Sequence, residues 1–179
     1  MKFQATKIIG IYVIKGEPVK DGRGEFARIF CREELGKAGI TFEVAQISRS
    51  FTRKRGTIRG LHFQRKSKEE DKIIACLQGA IFDVVLDLRK GSPTRGKWVC
   101  NELSENNQRM ILVPKGCAHG FQTLQDNCEV LMITSEFYSP DHEQGVRWDD
   151  PLFGISWPLA NPILSQKDRS WALFAKKEK

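Results

Sequence analysis

The chain has 179 residues, of which 40% are hydrophobic and 28% charged, a composition that excludes a disordered chain and suffices for one domain with a sizeable core. Lysine and arginine number 29 against 22 for aspartate and glutamate, so the formal net charge is +7. That surplus favours an anionic partner: nucleic acid, an acidic membrane surface or a phosphorylated small molecule. No low-complexity block or internal repeat interrupts the sequence, and residues 1–179 are therefore predicted to form a single domain.

Two features of the chain predict a cytoplasmic protein without a membrane partner. The apolar run KIIGIYVI at 7–14 is interrupted by Gly10 and is far shorter than a membrane span. The five cysteines are odd in number, widely spaced and never arranged as CxxC. That pattern is typical of reduced thiols rather than of a disulfide framework or a zinc site.

Short runs rich in β-branched and aromatic residues follow one another along the chain, separated by turn sequences such as KDGRG and PKG. In chain order the runs are KIIGIYVI, GTIRGLHF, KIIACLQG, AIFDVVLDL, RMILVP, HGFQTL and EVLMITSEF. One helix is predicted in CREELGKAGI, from Cys31 with Gly39 near its end, whereas DDPLFGISWP at 149–158 is predicted to be irregular. Many short strands between turns predict an all-β sandwich or barrel.

The predicted strand AIFDVVLDL carries two acidic residues of the same parity. Because side chains alternate along a strand, Asp83 and Asp87 point to one face, and Phe82, Val84 and Leu86 point to the other. This acidic face is expected either to be solvated or to line a polar cavity.

Two of the three histidines lie in predicted strands. His62 belongs to TIRGLHFQ, with Arg59 three residues before it and Lys72 at the start of the next strand. A histidine there is interpreted either as a base or as a core residue with both nitrogens hydrogen-bonded. His119 follows a tight turn in PKGCAHGF, but no HxH pair exists and His142 lies in the loop SPDHEQG, so no metal site is predicted.

Other kinds of active site lack their motifs in this chain. There is no GxSxG nucleophile turn, no GxxxxGKS phosphate loop and no GxGxxG after a strand, and Cys117 is interpreted as structural. The basic residues are scattered without interleaved aromatic residues, so nucleic acid is not expected as a partner. A compact diphosphate site explains the charge better, because arginine binds phosphate oxygens bidentately.

Several segments together resemble the dTDP-4-dehydrorhamnose 3,5-epimerases. They are GTIRGLHFQ, KIIACLQGAIFDVVLDLRKGSPTRGKW, LVPKGCAHGFQTL, YSPDHEQGVRWDDP and LSQKD, in the family's order and spacing from DGRGEF at 21–26 to Asp168. The resemblance implies a cupin-like jelly roll with a few short helices that works as a homodimer in deoxysugar biosynthesis without cofactor or metal. It also implies the reaction: inversion of C3 and/or C5 of a nucleoside-diphosphate 4-keto-6-deoxyhexose, with dTDP-4-dehydro-6-deoxyglucose as the expected substrate, by proton abstraction and reprotonation beside the ketone.

The resemblance further implies roles for individual residues. His62 would be the base, Asp168 the carboxylate that orients it, and Lys72 would lie near the developing oxyanion at C4 of the sugar. Two arginines would contact the diphosphate and a phenylalanine would stack on the nucleobase. The implied substrate-binding residues are Arg23, Phe26, Gln46, Arg59, Asp83, His119 and Tyr138.

Three positions depart from the family. The tyrosine six residues before the tyrosine of the Y-x-P motif, held to be the general acid, is here Met132, and a thioether cannot donate a proton. Arg28 replaces a glutamate, and Ser48 replaces an asparagine. An alternative therefore stays open, namely an epimerase of one centre only or a ketoisomerase, acting on a dTDP-, CDP- or GDP-linked keto sugar. A rival from another class is a non-catalytic sugar-nucleotide-binding module, against which the three implied catalytic residues argue.

Overall fold

The computed structural model describes residues 1–174, and most of its regular structure is β-strand. The strands are β1 (Lys2–Ala5), β2 (Tyr12–Lys15), β3 (Val19–Asp21), β4 (Gly24–Phe26), β5 (Gln46–Thr52), β6 (Ile58–Gln64), β7 (Lys72–Gln78), β8 (Ala80–Asp87), β9 (Trp98–Ser104), β10 (Arg109–Val113), β11 (Cys117–Thr123), β12 (Cys128–Thr134) and β13 (Glu143–Gly145). The helices described are α1 (Arg32–Lys37), α2 (Gln166–Ser170) and a 3-10 turn at Pro140–His142. No helix in this part of the chain is long and apolar enough to cross a membrane.

Two antiparallel sheets face each other. One has the strand order β1-β2-β10-β7-β12-β5 and the other β13-β6-β11-β8-β9, while β3 and β4 form a separate two-stranded ribbon. Apolar side chains from both sheets meet between them, among them Ile74, Ile81, Val85, Ile111 and Phe121. This arrangement confirms the predicted all-β class and has the layers of a jelly roll.

Two further apolar layers cover the outer faces of the sheets. Leu35 of α1 and Phe42 pack in one layer with Ile73 of the six-stranded sheet, and Phe153 packs in the other with Leu61 of the five-stranded sheet. Since side chains alternate along each strand, the neighbours of these residues point into the space between the sheets. Polar residues at those alternate positions therefore define a cleft in the interior.

The predicted elements are largely confirmed, with one correction. Helix α1 lies in the predicted segment and is followed by Gly39, and residues 149–158 form turns and irregular chain. The strand predicted over KIIGIYVI is wrong in its first half, because Gly10 has a φ of +86° that ends strand pairing, and β2 starts only at Tyr12. Strands β5 and β9 were not predicted, because each lies at a sheet edge and carries many polar residues.

Asp87 organises the turn after β8. Its buried carboxylate accepts hydrogen bonds from Nε of Arg89 at 2.9 Å and from the hydroxyls of Ser92 and Thr94 at 2.6 and 2.7 Å. Burial by itself would raise the pKa of Asp87, but these hydrogen bonds hold the pKa well below the usual range. The ionised carboxylate therefore stabilises the fold.

Replacing this carboxylate tests its contribution. Asp87→Asn is expected to lower the free energy of unfolding by about 2 kcal/mol at pH 7, because the charge-assisted hydrogen bonds are lost. A carboxyl whose pKa is lowered by folding contributes stability above its unfolded pKa of about 3.9, so the difference should shrink as the pH falls below about 4. Urea unfolding at pH 7 and pH 3 measures this difference in the free energy of unfolding, with the exposed Asp141→Asn as control. Equal stability of Asp87→Asn and the unchanged protein at pH 7 would contradict it.

Candidate active site

A cleft opens between the two sheets. Its larger chamber has a volume of about 560 Å³ and its smaller chamber about 330 Å³, a size typical of small-molecule sites. His62, Lys72 and Met132 line both chambers, so the two are parts of one cleft. Asp168 lines the larger chamber, so the cleft brings all three residues predicted to be catalytic together with the departure at position 132.

His62 is held by a carboxylate. Its Nε2 lies 2.5 Å from Oδ1 of Asp168, a buried residue of α2. Burial by itself would raise the pKa of Asp168, but hydrogen bonds from His62 and Ser165 lower the pKa below its ordinary value. With Nε2–H donated to this carboxylate, Nδ1 is the nitrogen left to accept a proton from a substrate.

Helix α2 is fixed beside β6 by its own cap and by a tryptophan. Ser165 accepts a hydrogen bond from the backbone N–H of Asp168 at 3.0 Å and donates its hydroxyl to Oδ2 of the same residue at 2.9 Å. The Trp171 ring meets the His62 ring edge-on, with centroids 6.3 Å apart. Trp171 also covers Gly145, the cross-strand partner of His62, so closely that a Cβ at position 145 would lie 2.1 Å from Cε2 of the indole.

Lys72 enters the cleft from the other sheet. Its ammonium lies 3.0 Å from Oε1 of Glu70 and donates to the backbone carbonyl of His62 at 3.5 Å. The side chains of Lys72 and Glu70 are both almost buried, with 11% and 10% exposed. A cation so placed can stabilise negative charge that develops on a bound molecule near His62.

A second histidine–aspartate pair lies deeper between the sheets. Nε2 of His119 is 2.6 Å from Oδ2 of Asp83, and both residues are buried. His119 is directly paired with His62 across β11 and β6, so their side chains lie side by side. Of the two expectations for the acidic face of β8, burial in a polar interior is therefore correct for Asp83.

The predicted substrate-binding residues fall into two groups. Arg59 lines the larger chamber, where its Nε donates to the hydroxyl of Thr52 at 2.9 Å. Gln46 and Tyr138 line the smaller chamber and are joined by a 2.9 Å hydrogen bond from the backbone N–H of Tyr138 to the Gln46 side chain.

Arg23 and Phe26 form the second group and lie on the exposed ribbon of β3 and β4. The Arg23 side chain is 92% exposed and pairs with Asp21 at 2.6 Å, and Phe26 is 72% exposed. Neither is among the described residues that line the cleft. The structure thus does not bring these two residues to the cleft of their own chain.

Two of the three departures from the family are neighbours in the structure. Met132 of β12 is directly paired with Ser48 of β5, and both line the smaller chamber. Arg28 lies elsewhere, in a separate cavity of about 450 Å³, and forms an ion pair with Glu34 at 2.5 Å. The paired departures give one wall of the cleft a thioether and a hydroxyl.

Sequence reasoning missed several residues of the site. Ser165 had a usable signal, because Ser-x-x-Asp at 165–168 is the spacing of a helix N-cap and its partner. No local sequence signal marks Glu70, Glu143 or Trp171, because their roles depend on contacts with residues distant in the sequence.

Comparisons with known proteins point to one family. The model of the dTDP-4-dehydrorhamnose 3,5-epimerase family matches residues 5–176. A dTDP-4-dehydrorhamnose 3,5-epimerase of Sinorhizobium fredii is 40% identical over 95% of this chain and 88% of its own length. The crystal structure of such an enzyme from Bacillus anthracis, with TDP and PPi bound, superposes with a TM-score of 0.94 at 42% identity, covering 97% of this chain and 99% of that one. A dTDP-4-dehydrorhamnose 3-epimerase of Streptomyces niveus is 35% identical over 98% of this chain and 84% of its own length.

The chain belongs to the dTDP-4-dehydrorhamnose 3,5-epimerase family. It is therefore an isomerase, an epimerase of nucleotide-linked keto sugars, and its fold is the cupin-like jelly roll that the family resemblance implies.

Proposed function

We propose that this protein inverts C3 and C5 of dTDP-4-dehydro-6-deoxyglucose. The observation that carries the proposal is the His62–Asp168 pair, with Nε2 and Oδ1 2.5 Å apart, in a cleft that Lys72 enters from the opposite sheet. A base and a cation on facing walls are what removal of a hydrogen beside a ketone requires, because the hydrogen is acidic only if the enolate oxygen is stabilised.

The proposed reaction proceeds through an enolate. Nδ1 of His62 takes the hydrogen from the carbon beside the C4 ketone, and the electron pair of the broken C–H bond moves onto the C4 oxygen. The ammonium of Lys72 stabilises that oxyanion, while Asp168 stabilises the imidazolium that His62 becomes. A proton delivered to the other face of the carbon then restores the ketone with inverted configuration.

The nucleotide is proposed to occupy the arginine side of the cleft. Arg59 lines the larger chamber and offers a guanidinium fork for phosphate oxygens. Arg23 and Phe26 are exposed on their ribbon, away from the cleft of their own chain. We propose a homodimer in which the ribbon of each subunit reaches the cleft of the other, so that both residues contact the nucleotide.

The cytoplasmic location stays a prediction from the sequence.

Met132 favours a second candidate, inversion of one centre only. The wall formed by Met132 and Ser48 carries no acid comparable to a phenol, and a hydrogen removed by His62 is then returned to the same face unless another donor is present. The relative from Streptomyces niveus is named a 3-epimerase, and this name for a single-centre enzyme supports the second candidate.

One experiment tests both candidates. The protein is incubated with dTDP-4-dehydro-6-deoxyglucose in deuterated water, and NMR follows deuterium incorporation and configuration at C3 and C5, with an enzyme-free sample as control. Inversion with label at both carbons is the expected result. Inversion at one carbon identifies the single-centre enzyme. A sample indistinguishable from the enzyme-free control would overturn the proposed substrate.

A further inference from the structure

One almost buried carboxylate in the cleft has no part in the proposed reaction. Glu70 lines the smaller chamber together with His62, Lys72 and Met132, and only 10% of its side chain is exposed. A carboxylate with so little access to water needs a partner for its charge. That partner is the ammonium of Lys72, which lies 3.0 Å from Oε1 of Glu70.

The acidic run before Lys72 places its three carboxylates in different surroundings. The sequence reads Glu69-Glu70-Asp71-Lys72. Asp71 serves the fold, because its Oδ1 accepts a hydrogen bond from the backbone N–H of Lys115 at 2.9 Å. Glu69 has no hydrogen bond or ion pair with any residue in the described part of the chain. Of the three, Glu70 alone lines the cleft.

The backbone of Lys72 is held by strands on both sides. Lys72 begins β7 and is directly paired with Val113 of β10 and with Thr134 of β12. Because the backbone is held in this way, the position of the ammonium depends on the flexible four-carbon side chain that carries it. The groups that surround the end of this side chain therefore decide where its charge lies.

Two groups hold that charge. The Glu70 carboxylate forms an ion pair with the ammonium at 3.0 Å, and the backbone carbonyl of His62 accepts a hydrogen bond from it at 3.5 Å. The second contact is long and therefore weak. The ion pair is the stronger attraction, since charges with little access to water are poorly screened. Within residues 1–174, Glu70 is the one carboxylate that forms an ion pair with Lys72.

A fixed ammonium matters for the proposed chemistry. A charge stabilises a transition state best when it is already in place where the opposite charge develops. A lysine side chain without a partner samples several rotamers and holds its ammonium at the right place for only part of the time. The Glu70 carboxylate is itself negative, so it cannot stabilise an oxyanion directly, and any benefit must come through Lys72.

We propose that Glu70 is the positioning residue of Lys72, and that its carboxylate holds the ammonium where the C4 oxygen of the substrate becomes negative. This inference rests on the proposed function, in which Lys72 stabilises the enolate. The enolate carries its charge on the same C4 oxygen whether the hydrogen leaves C3 or C5. Loss of Glu70 should therefore slow proton removal at both carbons by the same factor.

Replacing the carboxylate tests the inference. Glu70→Leu keeps a similar volume but attracts no cation, and it is expected to lower kcat about 30-fold with KM within a few fold. Deuterium exchange at C3 and C5, followed by NMR in deuterated water, should fall by the same factor. Glu70→Ala should show the same loss, because the attraction and not the volume is what matters. Unchanged kcat in both variants would overturn the inference.

A conservative variant and a neighbouring residue provide the controls. Glu70→Gln keeps an oxygen that attracts the ammonium, so its kcat is expected to stay within about fivefold of the unchanged protein. Glu69→Leu removes the adjacent carboxylate, which does not line the cleft, and should leave kcat unchanged. A loss in Glu70→Gln as large as that in Glu70→Leu would contradict positioning through this oxygen.

A double-mutant cycle separates positioning from a general role in the fold. In a Lys72→Met background Glu70 has no ammonium to hold, so Glu70→Leu should cause no further loss of the residual exchange at C3 and C5. A further loss of about 30-fold would show that Glu70 acts independently of Lys72 and would overturn the inference. Absence of both exchange and inversion in the unmodified protein would instead overturn the proposed function.

Discussion

His62→Ala is expected to lower kcat/KM for epimerisation about 10³-fold, because the group that removes the hydrogen beside the ketone is lost. Nδ1 of His62 is the nitrogen free to take that hydrogen, since Nε2 is held 2.5 Å from Asp168. Deuterium incorporation at C3 and C5, followed by NMR, measures the loss directly because each incorporation reports one proton removal. Exchange should fall to the rate of the enzyme-free sample.

Binding and a second histidine provide the controls for this variant. Affinity for dTDP, measured by calorimetry, is expected to stay within a few fold, because Arg59 and not His62 is proposed to contact the diphosphate. His142→Ala alters a histidine of the 3-10 turn whose ring contacts Ser139 and Ser67, and it should keep its activity. Full exchange in His62→Ala would show that another group is the base, and a protein that binds dTDP but never exchanges the sugar would be a binding module.

Asp168→Asn is expected to lower kcat about 100-fold with a much smaller effect on KM. The amide lacks the charge that stabilises the imidazolium, and its NH₂ group can turn toward Nε2 and favour the wrong tautomer of His62. Steady-state kinetics of epimerisation measure the two constants separately, since the loss should concentrate in the chemical step. Activity within twofold of the unchanged protein would contradict a role for this carboxylate.

Stability must be followed alongside, because Asp168 is also part of the fold. Its pKa is lowered by the hydrogen bonds from His62 and Ser165, which outweigh burial, so the carboxylate contributes stability above about pH 3.9 and loses it as the pH falls further. Asp168→Asn should therefore unfold more easily at pH 7 and differ less at pH 3. The exposed Asp141→Asn serves as the matched control for both activity and stability.

Much of the cleft follows from strand alternation. Once HGFQTL and AIFDVVLDL are taken as strands, Asp83 must point away from the apolar residues beside it, and the structure puts it against His119 in the interior. The pairing of His62 with Asp168 joins residues 106 positions apart, and no local pattern encodes such a contact. For that reason it was expected only through resemblance to a family.

The unpredicted features have two physical causes. Edge strands such as β5 and β9 carry many polar residues, so their sequences lack the hydrophobic runs that indicate a strand. The pairing of Met132 with Ser48 depends on the register between β12 and β5, which is set by the whole sheet. Both departures are visible in the sequence, but only the fold makes them one surface.

The active site depends on Gly145, a residue that has no side-chain functional group. The Trp171 indole rests where the first atom of any other side chain would stand, 2.1 Å from its Cε2. A single methyl group at position 145 would push the indole off His62 and displace the short helix that carries Asp168. A substitution at position 145 would therefore inactivate this enzyme through steric bulk alone, although every residue proposed to react is unchanged.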